Sequence, residues 1–296
     1  MSYILPIITI NILLKMFLNN GNKVSLKSIK DYWLKNPCEE WFFGPGINCK
    51  NINQIDLKQF KLNSSLRYSK EPEVIKFGDF PSLKGLNVLE VGYGLGSDAV
   101  LIAKSAKNYN GVDISEVSYE VTKRRLKLYN LKNTNLSVGS STDLKYEDDS
   151  FDFVYSWGVI HHSGNIRKSL KEIYRVLKKG GRSKIMVYNK NSLIVFIYWI
   201  YYSLKDLDFT RNRNDIIANY IESPGTLILS DSDFKDIINA VGFTVENIEF
   251  YRDFFYILRK YPKFIRPFIR IIAKTLSFFL GGEKNIGYFM CANISK

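Results

Sequence analysis

Cysteine and histidine are scarce in this chain, and their scarcity argues against two classes of protein. The 296 residues include three cysteines, Cys38, Cys49 and Cys291, and two adjacent histidines, His161 and His162. Three scattered thiols are too few for a disulfide framework, and none has the paired spacing of a zinc site. The sequence therefore predicts reduced thiols in a cytoplasmic protein that builds no metal site.

Acidic residues are also under-represented. Lysine and arginine total 42 against 29 aspartate and glutamate residues, which gives a formal net charge of +13. This excess predicts attraction to an anionic partner, whether nucleic acid, an acidic membrane surface or a phosphorylated substrate. A solvated, lysine-rich surface with no such partner is the alternative.

Long apolar runs are lacking as well. The apolar stretch at residues 1–17 is shorter than the roughly 20 residues that cross a bilayer, and Pro6, Asn11 and Lys15 interrupt it. It has neither the basic leading region nor the cleavage site of a secretory signal. Two interpretations stay open, an interfacial segment and a native start at Met16 that excludes residues 1–15.

Apolar residues make up 46% of the chain, which is ample for a buried core. From residue 86 onward, short apolar runs alternate with amphipathic stretches. This alternation predicts an α/β fold with a doubly wound, seven-stranded, mostly parallel sheet. The predicted strands are residues 87–91, 110–114, 135–138, 151–156, 183–188, 243–250 and 287–294, and the predicted helices are 97–107, 116–130, 166–178 and 231–241.

Three segments depart from this alternation. Residues 1–80 are irregular and aromatic, which predicts an N-terminal extension or lid before a domain over residues 81–296. Within that domain, insertions are predicted at about 191–229 and at about 252–284. The first opens with an apolar, aromatic helix, and the second is both basic and aromatic.

The strongest motif is VLEVGYGLGSDAV, in which an apolar strand runs into three glycines and then into a helix. Gly92, Gly94 and Gly96 allow a tight turn and a close approach to a ligand, because no side chain intervenes. A dinucleotide fingerprint needs glycine at the position of Ser97. Glu90 would repel a pyrophosphate and suits a cationic ligand.

Polar residues follow the next strands of the predicted sheet. Asp113 lies about 20 residues beyond the turn, where a carboxylate can accept both hydroxyls of a ribose, which marks an adenosyl ligand. The polar turn at residues 140–143 is placed to contact an adenine edge. The fourth strand delivers Ser156, His161 and His162 to the carboxyl edge of the sheet, where open α/β folds bind ligands.

These motifs resemble the class I S-adenosylmethionine-dependent methyltransferases, and among them the group of ubiquinone and menaquinone methylases. The resemblance covers residues 86–188. At the end of this region, LKKGGRSKIMV matches the usual pattern of a helix end, glycines and a strand. It implies S-adenosyl-L-methionine as cofactor, with its methionine part at the three glycines. Glu90 would favour the ammonium group, and Asp113 would bind the ribose.

Two departures from the family pattern concern the cofactor contacts. Serines and a threonine occupy positions 140–142, where related enzymes have Asp-Ala-Glu, so the adenine contact is expected from backbone groups and Asp143. Tyr93 replaces a small residue and either packs against the cofactor or blocks part of the pocket. The predicted cofactor-binding residues are Glu90, Gly92, Gly94, Gly96, Asp113, Ser141, Thr142, Asp143 and Ser156.

Methyl transfer from a sulfonium is an in-line displacement, so the enzyme mainly aligns the reactants and excludes water. Where a hydroxyl acceptor must lose a proton, His161 or His162 is the predicted catalytic base, because imidazole titrates near neutral pH. The alternative role is a pocket wall. Arg67 and Tyr68 either cover the cofactor as part of a lid or are ordinary packing residues.

The two insertions bear on the acceptor. The aromatic helix at residues 193–204 and the basic segment at 259–274 form either a platform on an anionic membrane or a roof over the substrate. Both alternatives favour a small-molecule or lipophilic acceptor. The sequence shows no RNA-binding module, so nucleic acid is not the expected partner. Two alternative functions stay open, an RNA methyltransferase and a non-catalytic cofactor-binding protein. Oligomeric state is not predicted.

Overall fold

The structure is a computed structural model that describes residues 24–38, 40–43, 49–252, 271, 275 and 286–296. The predictions for residues 1–15 and Met16, and all of the basic segment at 259–274 except Ile271, lie outside the described residues. Within the described part of the chain, no helix has both the length and the apolar character needed to span a bilayer.

A single sheet forms the centre of the described fold. Its strands are β1 (Asn87–Val91), β2 (Asn108–Asp113), β3 (Thr134–Val138), β4 (Phe151–Trp157), β5 (Leu177–Tyr188), β6 (Thr244–Tyr251) and β7 (Phe289–Ser295). Their order across the sheet is β3-β2-β1-β4-β5-β7-β6. The strands from β3 to β5 pair in parallel, whereas β7 is antiparallel to both β5 and β6. The predicted seven-stranded, mostly parallel sheet is confirmed.

Helices connect and flank these strands. They are α1 (Leu26–Lys35), α2 (Leu57–Lys70), α3 (Pro72–Gly78), α4 (Ser97–Ser105), α5 (Glu116–Leu128), α6 (Ile166–Val176), α7 (Leu193–Asp206), α8 (Arg213–Ile216) and α9 (Asp231–Val241). The ends of α9 are as predicted. Ser230 accepts a hydrogen bond from the backbone of Asp233 at its start, and Gly242 ends it in a left-handed conformation.

Apolar layers cover both faces of the sheet. Val88 of β1 packs with Ile102 of α4 on one face, while Leu89 packs with Leu170 of α6 on the other. Successive side chains of a strand point to opposite faces, so a strand buried on both sides is apolar throughout. This explains why the central strands β1 and β4 are short, mainly apolar runs in the sequence.

The junction of α6 and β5 differs from the prediction. The helix predicted over residues 166–178 ends at Val176, and β5 begins at the next residue. Phe151 pairs with Leu177, but Phe153 pairs with Arg182, so the β5 side has extra residues at this point. The two glycines expected to end the helix lie in this irregular part of the strand.

The expectation that residues up to 80 are irregular is wrong for the described part, which contains α1, α2 and α3. Ser25 caps α1, and Asp56 caps α2 through a reciprocal capping box with Gln59. Phe60 of α2 belongs to a buried cluster with Leu95 of the glycine turn. The N-terminal segment thus packs directly beside the predicted ligand-binding turn.

Candidate functional site

A cavity of about 450 Å³ lies at the carboxyl ends of β1, β2, β4 and β5. Among the predicted site residues, those that line it are Glu90, Gly92, Gly94, Asp113, Ser141 and His162. The predicted residues that are not among its lining are Gly96, Thr142, Asp143, Ser156 and His161. The cavity therefore brings together the glycine turn, the end of β2 and one of the two histidines.

The glycines of the turn differ in what surrounds them. Gly92 and Gly94 both have left-handed backbone, with φ of 82° and 50°. A Cβ atom on Gly92 would lie 2.1 Å from Val159 Cγ2, whereas the nearest atom to one on Gly94 is Cys38 Cβ at 3.8 Å. Position 92 therefore requires glycine because a side chain would clash with Val159, whereas the glycine at position 94 leaves the backbone open to the cavity.

Asp113 is held in place by backbone N–H groups. Its Oδ2 accepts from the nitrogen of Gly94 and its Oδ1 from that of Ser115, each at 2.9 Å. Burial raises the pKa of Asp113 to about 6, although these N–H groups favour the charged form. A carboxylate oxygen has more than one acceptor site, so Asp113 can also receive the hydroxyls of a ligand.

Two tyrosines fix the residues around the turn. The hydroxyl of Tyr109 donates to Oε2 of Glu90 at 2.6 Å, and both side chains are buried. The hydroxyl of Tyr93 donates to the carbonyl of Ser137 at 3.0 Å, and its ring lies against Gly111 of β2. Tyr93 is therefore held against β2 while it lines the cavity.

The polar turn after β3 reaches the cavity only in part. Ser141 lines it, with its hydroxyl 2.9 Å from that of Ser169. Asp143 forms an ion pair with Lys145 at 2.7 Å, and its side chain is 61% exposed. Ser156 is fully buried within β4. The adenine-contact role of this turn stays a prediction, for which Ser140 and Ser141 line the cavity whereas Thr142 and Asp143 do not.

The two histidines have different surroundings. Nδ1 of His162 lies 2.9 Å from Oγ of Ser223 and 2.8 Å from Oγ1 of Thr226. The His161 ring packs on His162 and on Tyr188, and its nitrogens have no hydrogen-bond partner within the described residues. Burial lowers the pKa of His162 to about 3 and that of His161 well below its usual value, so both are weak proton acceptors.

Arg67 and Tyr68 both contact Asp98 of α4. Nη1 of Arg67 lies 2.6 Å from Oδ1 of Asp98, and the Tyr68 hydroxyl donates to the same oxygen at 2.8 Å. Arg67 also lies near Glu71, which pairs with Arg252 at 3.3 Å. These contacts anchor α2 to the domain, as expected for packing residues, while Arg67 also lines the cavity.

An aromatic and acidic part of the cavity wall is absent from the site residues predicted from the sequence. The rings of Tyr188 and Tyr288 stack with centroids 4.5 Å apart, and the Tyr288 hydroxyl donates to Oε1 of Glu222 at 3.4 Å. Tyr32 and Trp33 of α1 complete this wall. Because Tyr188 ends β5 and Tyr288 precedes the neighbouring β7, the aromatic residues at these two strand ends were the available signal.

Residues 89–185 match the sequence family described as a methyltransferase domain. This stretch contains the glycine turn and Asp113, and it builds most of the parallel sheet. These residues are similar to the methyltransferase domain of the class I S-adenosylmethionine-dependent methyltransferases. S-adenosyl-L-methionine is the methyl donor of those enzymes, so the match supports the predicted enzyme class and cofactor.

Relatives match parts of this chain. It is 31% identical to phosphoethanolamine N-methyltransferase 2 of Caenorhabditis elegans, over 60% of the chain but only 36% of that protein. A ubiquinone/menaquinone biosynthesis C-methyltransferase of Rickettsia typhi is 29% identical, over 53% of the chain and 68% of that protein. A solved S-adenosylmethionine-dependent methyltransferase of Mesorhizobium loti has a TM-score of 0.53 at 14% identity, over 76% and 97% of the two chains, which supports the fold.

The lining of the cavity fits the charge of S-adenosyl-L-methionine. Its described charged residues are five carboxylates and two guanidinium groups, without a lysine, although the whole chain is strongly basic. The methyl donor carries a sulfonium and an ammonium, which an acidic lining attracts. The open space at Gly94 also admits a ligand close to the backbone.

Proposed function

We propose that this methyltransferase transfers the methyl group of S-adenosyl-L-methionine to a small-molecule or lipophilic acceptor. The observation that carries the proposal is that the glycine turn and Asp113 share one cavity with an aromatic wall. Its volume of about 450 Å³ suits two small ligands better than a polymer. A cytoplasmic location agrees with the cysteine content.

Each part of the cavity has a role in this proposal. Gly94 and Glu90 hold the methionine part of the donor, and Asp113 accepts hydrogen bonds from its ribose. When bound, S-adenosylmethionine supplies a methyl carbon already activated by the positive sulfur. Trp157, Met186 and other apolar lining residues exclude water, so that alignment becomes the main contribution of the protein.

The names of the relatives support a small acceptor without fixing its atom. One is an N-methyltransferase of phosphoethanolamine, and another is a C-methyltransferase of quinone biosynthesis. Both names refer to small molecules, the second of them lipophilic. His161 and His162 stay the predicted bases for an acceptor that must lose a proton, with the low pKa of each ring as an argument against that role.

Labelled S-adenosylmethionine provides the test. The protein is incubated with it and with fractionated small-molecule, lipid and RNA extracts, and the methylated product is identified by mass. We expect label in the small-molecule or lipid fraction, and much less of it with Asp113→Asn at the same donor concentration. Label in RNA would establish the RNA methyltransferase instead. Tight binding of the donor with no product in any fraction would indicate a non-catalytic binding protein.

We further propose that α7 contacts an anionic membrane surface peripherally. Ile197, Tyr201 and Leu204 are exposed at helical spacing, and Leu207 and Phe209 are exposed just beyond the helix. Exposed apolar residues on a basic protein are typical of binding to acidic lipid. Flotation with vesicles containing phosphatidylserine tests this proposal.

A matched pair of variants sharpens the flotation experiment. Leu207→Glu places a charge on the proposed contact surface, whereas Ile75→Glu places one at an exposed apolar position on α3. We expect the first to abolish vesicle binding and the second to preserve it. Absence of binding by the unaltered protein would leave α7 as a roof over the substrate.

A further inference from the structure

Glu222 differs in its partners from three of the four other carboxylates of the cavity wall, and like Glu90 it accepts from a tyrosine hydroxyl. Asp98 and Glu71 pair with guanidinium groups, and Asp113 accepts backbone N–H groups. Within the described residues, the Glu222 carboxylate accepts from the Tyr288 hydroxyl at 3.4 Å, Tyr188 lies close to it, and no cation pairs with it. Burial raises its pKa to about 7.

Aromatic rings surround this carboxylate. Tyr188 and Tyr288 stack with an interplanar angle of 18°, and both line the cavity beside Glu222. Burial raises the pKa of Tyr32, and the charge of Glu222 raises it further. Tyr32 belongs to α1, so α1 lies near the Glu222 carboxylate. A buried carboxylate with no paired cation attracts one through its charge.

We propose that Glu222 and the rings of Tyr188 and Tyr288 form the subsite for the nitrogen of an amine acceptor, and that the carboxylate takes the proton which the ammonium must lose. The proposal rests on the proposed function, because the methyl donor must share the cavity. It names an acceptor class, small amines, and a proton acceptor other than the two histidines.

The proposed reaction has two parts, loss of a proton from the ammonium and transfer of the methyl group. An ammonium has no lone pair, so one N–H proton passes to Glu222, which becomes a carboxylic acid. The nitrogen lone pair then forms the new bond to the methyl carbon as the carbon–sulfur bond breaks and sulfur keeps its electron pair. The products are the methylated ammonium and the thioether S-adenosylhomocysteine.

Two probes of matched shape test the subsite. Protonated 2-(dimethylamino)ethanol and 3-methyl-1-butanol differ chiefly by a charged nitrogen in place of a CH group. Binding of each is measured by calorimetry with S-adenosylhomocysteine present at saturation. We expect the unaltered protein to bind the amine at least tenfold more tightly than the alcohol. Equal affinity for the two would overturn the proposal without any variant.

Variants then assign the preference to Glu222. Glu222→Gln should remove the preference for the amine while leaving affinity for the alcohol and for S-adenosylhomocysteine unchanged. Glu246→Gln, on the exposed face of β6, should leave all three affinities unchanged. An amine preference that survives Glu222→Gln would overturn the assignment. If S-adenosylhomocysteine fails to bind the unaltered protein, the proposed function itself is wrong, which separates the two failures.

Discussion

The backbone N–H of Gly94 donates to the Oδ2 atom of Asp113, with 2.9 Å between nitrogen and oxygen. This bond joins the two motifs that identified the cofactor, the turn after β1 and the end of β2. It fixes the carboxylate before any ligand arrives, and pre-positioned groups lose less entropy on binding. A change at either residue therefore alters the geometry of the other.

Alanine substitutions should separate the roles of the glycines. Gly92→Ala forces a side chain onto Val159 and into positive φ, and should destabilise the fold by about 2–4 kcal/mol. Gly94→Ala has open space and should cost only about 1–2 kcal/mol. It should nevertheless weaken S-adenosylhomocysteine binding at least tenfold. Urea unfolding and calorimetry measure the two effects, and unchanged affinity in Gly94→Ala would place the ligand elsewhere.

Asp113→Asn should weaken cofactor binding. The amide loses the charge that strengthens bonds from ribose hydroxyls, at a cost of about 1.5–3 kcal/mol, which corresponds to roughly a ten- to hundredfold increase in Kd. The matched variant is Asp143→Asn, whose exposed side chain lies outside the cavity lining. It should change Kd less than twofold. A large effect at Asp143 would instead support the adenine contact predicted from the sequence.

Cofactor affinity should depend on pH through the same residue. The pKa of Asp113 in the free protein is raised to about 6, so the carboxyl is protonated below that value. Ribose hydroxyls donate to the charged form, so affinity is highest above pH 6 and falls by up to about tenfold per unit below it. Calorimetry from pH 5 to pH 8 checks this. In Asp113→Asn this part of the pH dependence should vanish.

His162→Ala should act mainly on stability. The substitution removes the hydrogen bonds to Ser223 and Thr226 and leaves a space in a buried site, which should cost about 2–4 kcal/mol. A lower urea midpoint with a retained turnover rate is the expected outcome. Lost turnover at an unchanged midpoint would give the ring the catalytic role that the sequence suggested.

The central strands β1 and β4 were predictable because burial on both faces favours short apolar runs. Predicted and observed bounds of β1 agree, and those of β2 and β7 differ by one or two residues at each end. The start of β5 was not predictable from local signals. Glycine after a helical pattern usually ends a helix, but here pairing of Leu177 with Phe151 determines the structure.

The donor half of the site was more predictable than the acceptor half. Glu90 to Gly94 are contiguous in the sequence, and Asp113 follows at a recognisable distance. Glu222, Tyr288 and Tyr32 come from three distant segments, and only the packing of those segments brings them together. Without a repeated spacing, the sequence had no pattern that could identify this wall.

The position of β7 between β5 and β6 has a consequence for folding. Asn189 donates to the carbonyl of Gly287, a contact that closes 98 residues, whereas Gly94 and Asp113 are 19 residues apart. Long loops close more slowly and at a greater entropic cost than short ones. During refolding, the glycine turn should therefore gain protection from hydrogen exchange earlier than the tyrosine pair. The protein would form its donor site first and the tyrosine wall proposed to select the acceptor last.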